Sequence, residues 1–186
     1  MPSDTNVGQP SAGSAGGRLA AVVAEIEQHA NAFGWDRPPS LFALVPTAEL
    51  LTAEPALAAA LGLTGSTPDP DDLTPIEQEP LADQPLDEVL ATIEWPAVVT
   101  GCALVNEVVV LPPSAGQAPD DTEAVKWASD HPERREVRMV VAVLRDGSRA
   151  CLLRIRPTAV DAEEHLVPGP DLAPNLAAAL QATLTE

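Results

Sequence analysis

Apolar residues recur along this chain in two rhythms, and the rhythm changes near residue 97. In the first half, Leu19, Val22, Val23, Ile26, Ala30 and Phe33 fall three and four apart, the spacing that lines one face of a helix. This predicts a helix over residues 18–33, stopped at Gly34, which lacks a Cβ and tolerates the left-handed conformation that ends helices. The short apolar run 41–45 reads as a buried strand closed by Pro46. Two helical pieces follow, one capped by Thr47 and one opened by Pro55, where the missing N–H costs nothing, with Gly62 as the stop. Leu86, Val89, Leu90 and Ile93 then predict a helix over 86–95, terminated by Pro96.

In the second half the pattern turns to strands. Residues 97–111 are rich in valine and predict one long strand with a bulge near Gly101, or two short ones. A short helix capped by Asp120 or Thr122 should run through Trp127. Asp146-Gly147, flanked by apolar runs at 136–145 and 148–156, is a strong hairpin signal. A two-residue turn there pairs Arg145 with Ser148, and hence Arg138 with Ile155. That register puts Arg138, Val140, Ala142, Cys151 and Leu153 on one face, under the helices. Val137, Met139, Val141, Leu152, Arg154 and Arg156 share the other, half apolar and half arginine. Slipping by one residue would exchange these partners. A last helix, 171–184, is predicted with Asp171 as its cap and Leu172, Leu176, Leu180 and Leu184 on one side.

Together these elements predict an α+β fold: one domain over 17–186, with an antiparallel sheet of three to five strands and helices packed mainly on one face. Strands and helices do not alternate strictly, which argues against a parallel doubly wound sheet. Residues 1–16, small and polar, read as a disordered tail. Residues 63–85, with five prolines and six acids, read as a loop.

Charge changes the picture more than composition does. The formal net charge is −18. No basic residue lies between Arg37 and Lys126, whereas seven of the ten Lys and Arg residues crowd into 134–156. A field of this sign opposes nucleic-acid phosphates and anionic membranes, so neither is an expected partner. No apolar stretch approaches the length of a membrane span and no secretory signal is visible. Two cysteines make no disulfide framework, so the expected location is cytoplasmic. Twenty prolines and nine arginines to one lysine point to a GC-rich genome.

Three segments carry a resemblance: Gly101-Cys102-Ala103-Leu104-Val105-Asn106-Glu107, residues 140–151, and Gly169-Pro170-Asp171-Leu172-Ala173-Pro174-Asn175. Through them the chain resembles a small actinobacterial family of uncharacterised proteins over about residues 18–185. The resemblance implies a single domain. It brings no activity, cofactor or catalytic residue.

The residues themselves offer little chemistry. Glu25 and His29 stand four apart on the first helix, and Asp161, Glu163, Glu164 and His165 form a denser group. Neither matches a metal-binding motif, and a solvated helix pair and an acidic loop explain them. Cys102 and Cys151 would approach each other if their strands were neighbours, but apolar surroundings make such thiols inert. No metal, cofactor or catalytic set is expected. Of the three tryptophans, Trp35 and Trp95 read as staples, and Trp127 as the exposed one.

The arginines of the hairpin have three readings: pairing with acids of the long negative segment 38–125, a docking strip, or a site for a phosphorylated metabolite. The candidates for interaction or anion binding are Arg145, Arg154, Arg156 and Trp127. The expected function is a non-enzymatic interaction or accessory module, as a homodimer or with a protein partner, joined through the face bearing Val137, Met139 and Val141. The alternative is a binding domain or enzyme for an anionic small molecule.

Overall fold

The computed structural model describes residues 15–65, 67–81, 84–112, 124–158 and 165–185. Most of the expected N-terminal tail, and Asp161, Glu163 and Glu164, lie outside these residues. Six strands form one antiparallel sheet: β1 (Ser40–Pro46), β2 (Leu73–Glu77), β3 (Gly101–Val110), β4 (Arg135–Leu144), β5 (Arg149–Ile155) and β6 (His165–Pro168), in the order β2-β1-β3-β4-β5-β6. The helices are α1 (Ala15–Ala32), α2 (Thr47–Ala53), α3 (Pro55–Ala60), α4 (Leu86–Leu90), α5 (Ala124–Asp130) and α6 (Pro174–Thr183). The α+β class and the antiparallel sheet are as expected, but the sheet has six strands rather than three to five. The two extra strands are short edges. β2 arises inside the proline-rich stretch expected to be a loop, and Pro75 fits there because an edge strand can spare an amide donor.

Helices cover both faces, not mainly one. On the first face α1 buries Leu19, Val22, Val23 and Ile26 against Phe42, Leu44, Ala103, Val105, Val140, Ala142 and Leu152. On the second, α4 and α6 bury Leu90, Ala177, Leu180 and Leu184 against Leu41, Cys102, Leu104, Val141, Val143 and Cys151. Alternate residues of the central strands are therefore apolar on both sides, which produces the continuous valine runs of β3 and β4.

Val137 and Val141, expected to be open for a partner, are 3% and 1% exposed on the face that α4 and α6 cover. The turn decides what β5 adds to each face. Leu144 N–H donates to Ser148 O and Gly147 has φ +86°, giving a three-residue loop that closes with glycine in the left-handed region. Arg138 consequently pairs with Arg154 rather than Ile155. One residue of slip moves Arg154 onto the α1 face beside Arg138. Gly101 opens β3 in unbroken register with β4 rather than at a bulge, and its missing side chain lets β4 approach: a Cβ there would lie 2.4 Å from Leu144 Cδ2 and 2.5 Å from Val143 O.

Candidate functional site

Arg138 and Arg154 stand directly opposite each other on the α1 face of β4 and β5. Two like charges in that relation repel, and burial makes the repulsion worse. The fold answers with Glu27, which α1 lowers between them. Arg154 grips its carboxylate with both arms, Nε to Oε1 at 2.5 Å and a terminal nitrogen to Oε2 at 2.6 Å. Arg138 lies 3.8 Å from the same carboxylate and donates to Glu107 Oε1 from Nε at 3.2 Å and from a terminal nitrogen at 2.9 Å. Glu27 and Arg138 have only 1% of their side chains exposed and Arg154 5%. One buried carboxylate, Glu27, and one half-buried one, Glu107, thus meet two buried guanidinium groups.

The lattice also fixes the chain after α1. Arg138 donates to Asn31 Oδ1 and to the carbonyl of Gly34. Glu107 Oε2 accepts the amides of Asp36, at 2.7 Å, and Arg37. The guanidinium carbons of Arg138 and Arg156 lie over the Trp35 ring, 4.4 and 5.4 Å from its centre. Arg156 grips Asp36 with two bonds of 2.9 Å and also meets Glu136. Through that grip Asp36 is held below its usual carboxylate pKa, and the pKa of Arg156 is raised. These contacts hold Asp36 at φ +65°, a conformation uncommon outside glycine.

A cleft of about 290 Å³ opens beside this lattice. The end of α1 provides His29, Ala30 and Phe33, the following turn Arg37 and Pro38, and β1 Ser40 and Phe42. Glu77 of β2 and Val105, Asn106, Glu107 and Arg138 complete it. His29 stacks edge-on against Phe33 and Phe42 and lies 3.5 Å from Glu77. Phe33 is 59% exposed, a large apolar ring at the rim. The cleft therefore has an aromatic wall, polar groups of both signs, and a floor of charges already committed to one another.

The residues singled out from the sequence are scattered. Arg154 is buried against Glu27. Arg145 spends its guanidinium on carbonyls of Val99, Trp95, Pro96 and Leu184, tying the approach to β3 to the end of α6. Arg156 bridges Asp36 and Glu136. Trp127 is half-buried on α5 with its ring against His131. The acids that answer the arginines come largely from outside the long negative segment. Glu107 lies in it, while Glu27 and Asp36 precede it and Glu136 follows. Trp95 does act as a staple, donating from Nε1 to Thr183 at 2.9 Å.

Cys102 and Cys151 are separated by β4, and burial raises each thiol to about 11. Glu25 and His29 are both exposed on α1. Among the described residues no group of three or more His, Cys, Asp and Glu is placed to hold a metal ion, and no helix is long and apolar enough to cross a membrane. Sequence reasoning missed Glu27, Glu107 and the His29–Glu77 contact. For Glu27 a signal existed, since it follows Leu19 and Val23 at four-residue steps and so falls on the apolar stripe of α1.

No curated protein and no solved structure matches the chain. A family model described as PPA1309-like protein matches residues 19–185. The span runs from α1 through α6 and takes in the lattice, the cleft and every strand. The chain belongs to the PPA1309-like protein family.

Proposed function

We propose that this protein is a non-enzymatic interaction module whose partner inserts an apolar or aromatic side chain into the cleft between the end of α1 and strands β1–β3. The observation that carries this is the cleft's construction: an aromatic wall over a floor of mutually paired charges, Arg138 and Glu107. Such a floor keeps its shape without ligand, so binding pays little for ordering. The volume, about 290 Å³, lies at the lower end of ligand pockets and suits one or two side chains. Burying one aromatic anchor gains roughly 4–6 kcal/mol gross, against association costs of similar size, so the complex should be transient unless the rim adds contacts. A binding role rather than catalysis is supported by Arg138 and Glu107, which spend their charge on each other, and by thiols that stay protonated at neutral pH.

Selection from a displayed peptide library tests the reading, with Phe33→Glu as the counter-target. Phe33 is exposed enough for the substitution to leave the fold intact. Enriched peptides should share one large apolar anchor and bind the variant at least about tenfold more weakly. Absence of enrichment, or equal binding to the variant, would overturn it. Light scattering of both proteins addresses the homodimer: a dimer that Phe33→Glu dissolves makes a second copy the partner.

A further inference from the structure

We propose a second site, for the phosphoryl group of a phosphomonoester, where β4 begins and β5 ends, apart from the cleft and independent of its reading. Here an open concavity of about 460 Å³ is lined by Arg134, Arg135, Glu136, Arg156 and Thr158, with Pro132 and Pro157 at its margins. Three guanidinium groups stand against Glu136 in its lining and Asp36, which holds Arg156, so the concavity keeps an excess of one positive charge in a chain of net charge −18. The arginines differ in their commitments. Arg156 is held in plane by Asp36 and Glu136 over Trp35, with a third of its side chain exposed. Arg134 and Arg135 are exposed, and among the described residues neither has an ion pair.

The backbone at all three is nevertheless fixed, Arg135 by pairing with Val110 in the sheet. Arg134 N–H donates to His131 O at 3.1 Å, and Arg156 N–H to Glu136 O at 2.8 Å. The concavity thus offers one oriented guanidinium, two unspent ones and the exposed Thr158 side chain as a hydroxyl donor. A phosphomonoester dianion matches the two unspent guanidinium groups and the donors, since guanidinium forks fit phosphate oxygens in pairs. The hairpin arginines buried under α1 are already paired; the anion site belongs to those at the strand ends.

Phenyl phosphate, titrated into the full chain at constant ionic strength, tests this through the arginine Nε–H resonances in nitrogen-15 NMR spectra. Saturable shifts are expected at Arg134, Arg135 and Arg156. Binding should weaken at least about tenfold in Arg134→Ala/Arg135→Ala, whose exposed positions spare the fold. It should also weaken at pH 5 relative to pH 7.5, because the second phosphate ionisation lies near about 6. Shifts reproduced by sodium chloride alone, or unchanged in the double variant, would overturn the site. A phosphoserine peptide serves as the second arm: tighter binding than phenyl phosphate makes a phosphorylated protein the source, and equal or weaker binding makes it a small molecule. Phe33→Glu should leave the phosphate titration unaltered, so failure of the cleft and failure of this site are separable.

Discussion

Replacing Glu27 by glutamine should cost far more stability than its single lost charge suggests. The carboxylate has 1% of its surface exposed, accepts two short bonds from Arg154, and lies 3.8 Å from Arg138. Glutamine keeps the shape but turns an amide NH2 towards a guanidinium that also donates. Arginine cannot lose its proton, so the two cations would face each other across the β4–β5 pair with the half-buried Glu107 as their remaining carboxylate. Breaking a buried pair in this way costs about 3–5 kcal/mol. For a chain of this size that lowers the melting temperature by roughly 6–20 °C. Urea unfolding followed by far-ultraviolet circular dichroism measures it directly, provided the slope is unchanged.

The companion variant is Glu27→Leu/Arg154→Leu. Removing both partners leaves Arg138 with Glu107, a balanced pair, so much of the loss should be recovered even though a charged contact has gone. A Glu27→Gln loss under about 1 kcal/mol would place the pair in the range of exposed ion pairs. That result would refute the reasoning, as would a double variant less stable than the single one.

Gly101→Ala should destabilise by about 1–3 kcal/mol in the same assay, because the new methyl meets a backbone oxygen that cannot yield. A neutral substitution would mean that β3 and β4 separate readily there. Ellman's reagent should fail to label Cys102 and Cys151 in the native protein at pH 8 and label both in urea. Since folding raises both thiols to about 11 from an ordinary value near 9, their contribution is intact below pH 9 and declines as pH rises towards 11. Asp36 has the opposite sign: its folded pKa is lowered, so its contribution is present above the ordinary carboxylate value and lost as pH falls through the folded one. The stability gap between wild type and Asp36→Asn, measured by urea unfolding, should therefore narrow on acidification below pH 4; a gap independent of pH would contradict the Arg156 grip.

Much of the scaffold was legible because periodicity is a local property. The α1 stripe, the stop at Gly34, the buried strand at 41–45, Pro55 as a helix opener and Leu176, Leu180 and Leu184 on one side of the last helix all follow from neighbours in sequence; its start did not, since α6 begins at Pro174 rather than after Asp171 and leaves Leu172 exposed. The sheet's edges were not, since β2 and β6 are short and are strands only because β1 and β5 are there to pair with. The hairpin shows the sharper limit. Asp146-Gly147 identifies the turn, but whether glycine is its second or third loop residue depends on how the strands meet the rest of the sheet. That single residue decides whether Arg154 faces α1 or α6. With the register wrong, Arg138 and Arg154 could not be seen as opposed, and the need for Glu27 between them stayed hidden. The cleft was illegible for a related reason: its walls come from α1, four strands and a turn held by Arg138 and Glu107, none of which announces the others.

The claim on which the rest stands is that Arg138 and Arg154 are sealed beneath α1 and spent on Glu27 and Glu107. Hydrogen exchange at the arginine Nε–H groups, followed by nitrogen-15 NMR at neutral pH, tests it most directly. Nε–H of Arg138 and Arg154 should exchange far more slowly than those of exposed Arg134 and Arg135, and Arg154 should lose its protection in Glu27→Gln. Equal, rapid exchange at all four in the wild type would contradict the account.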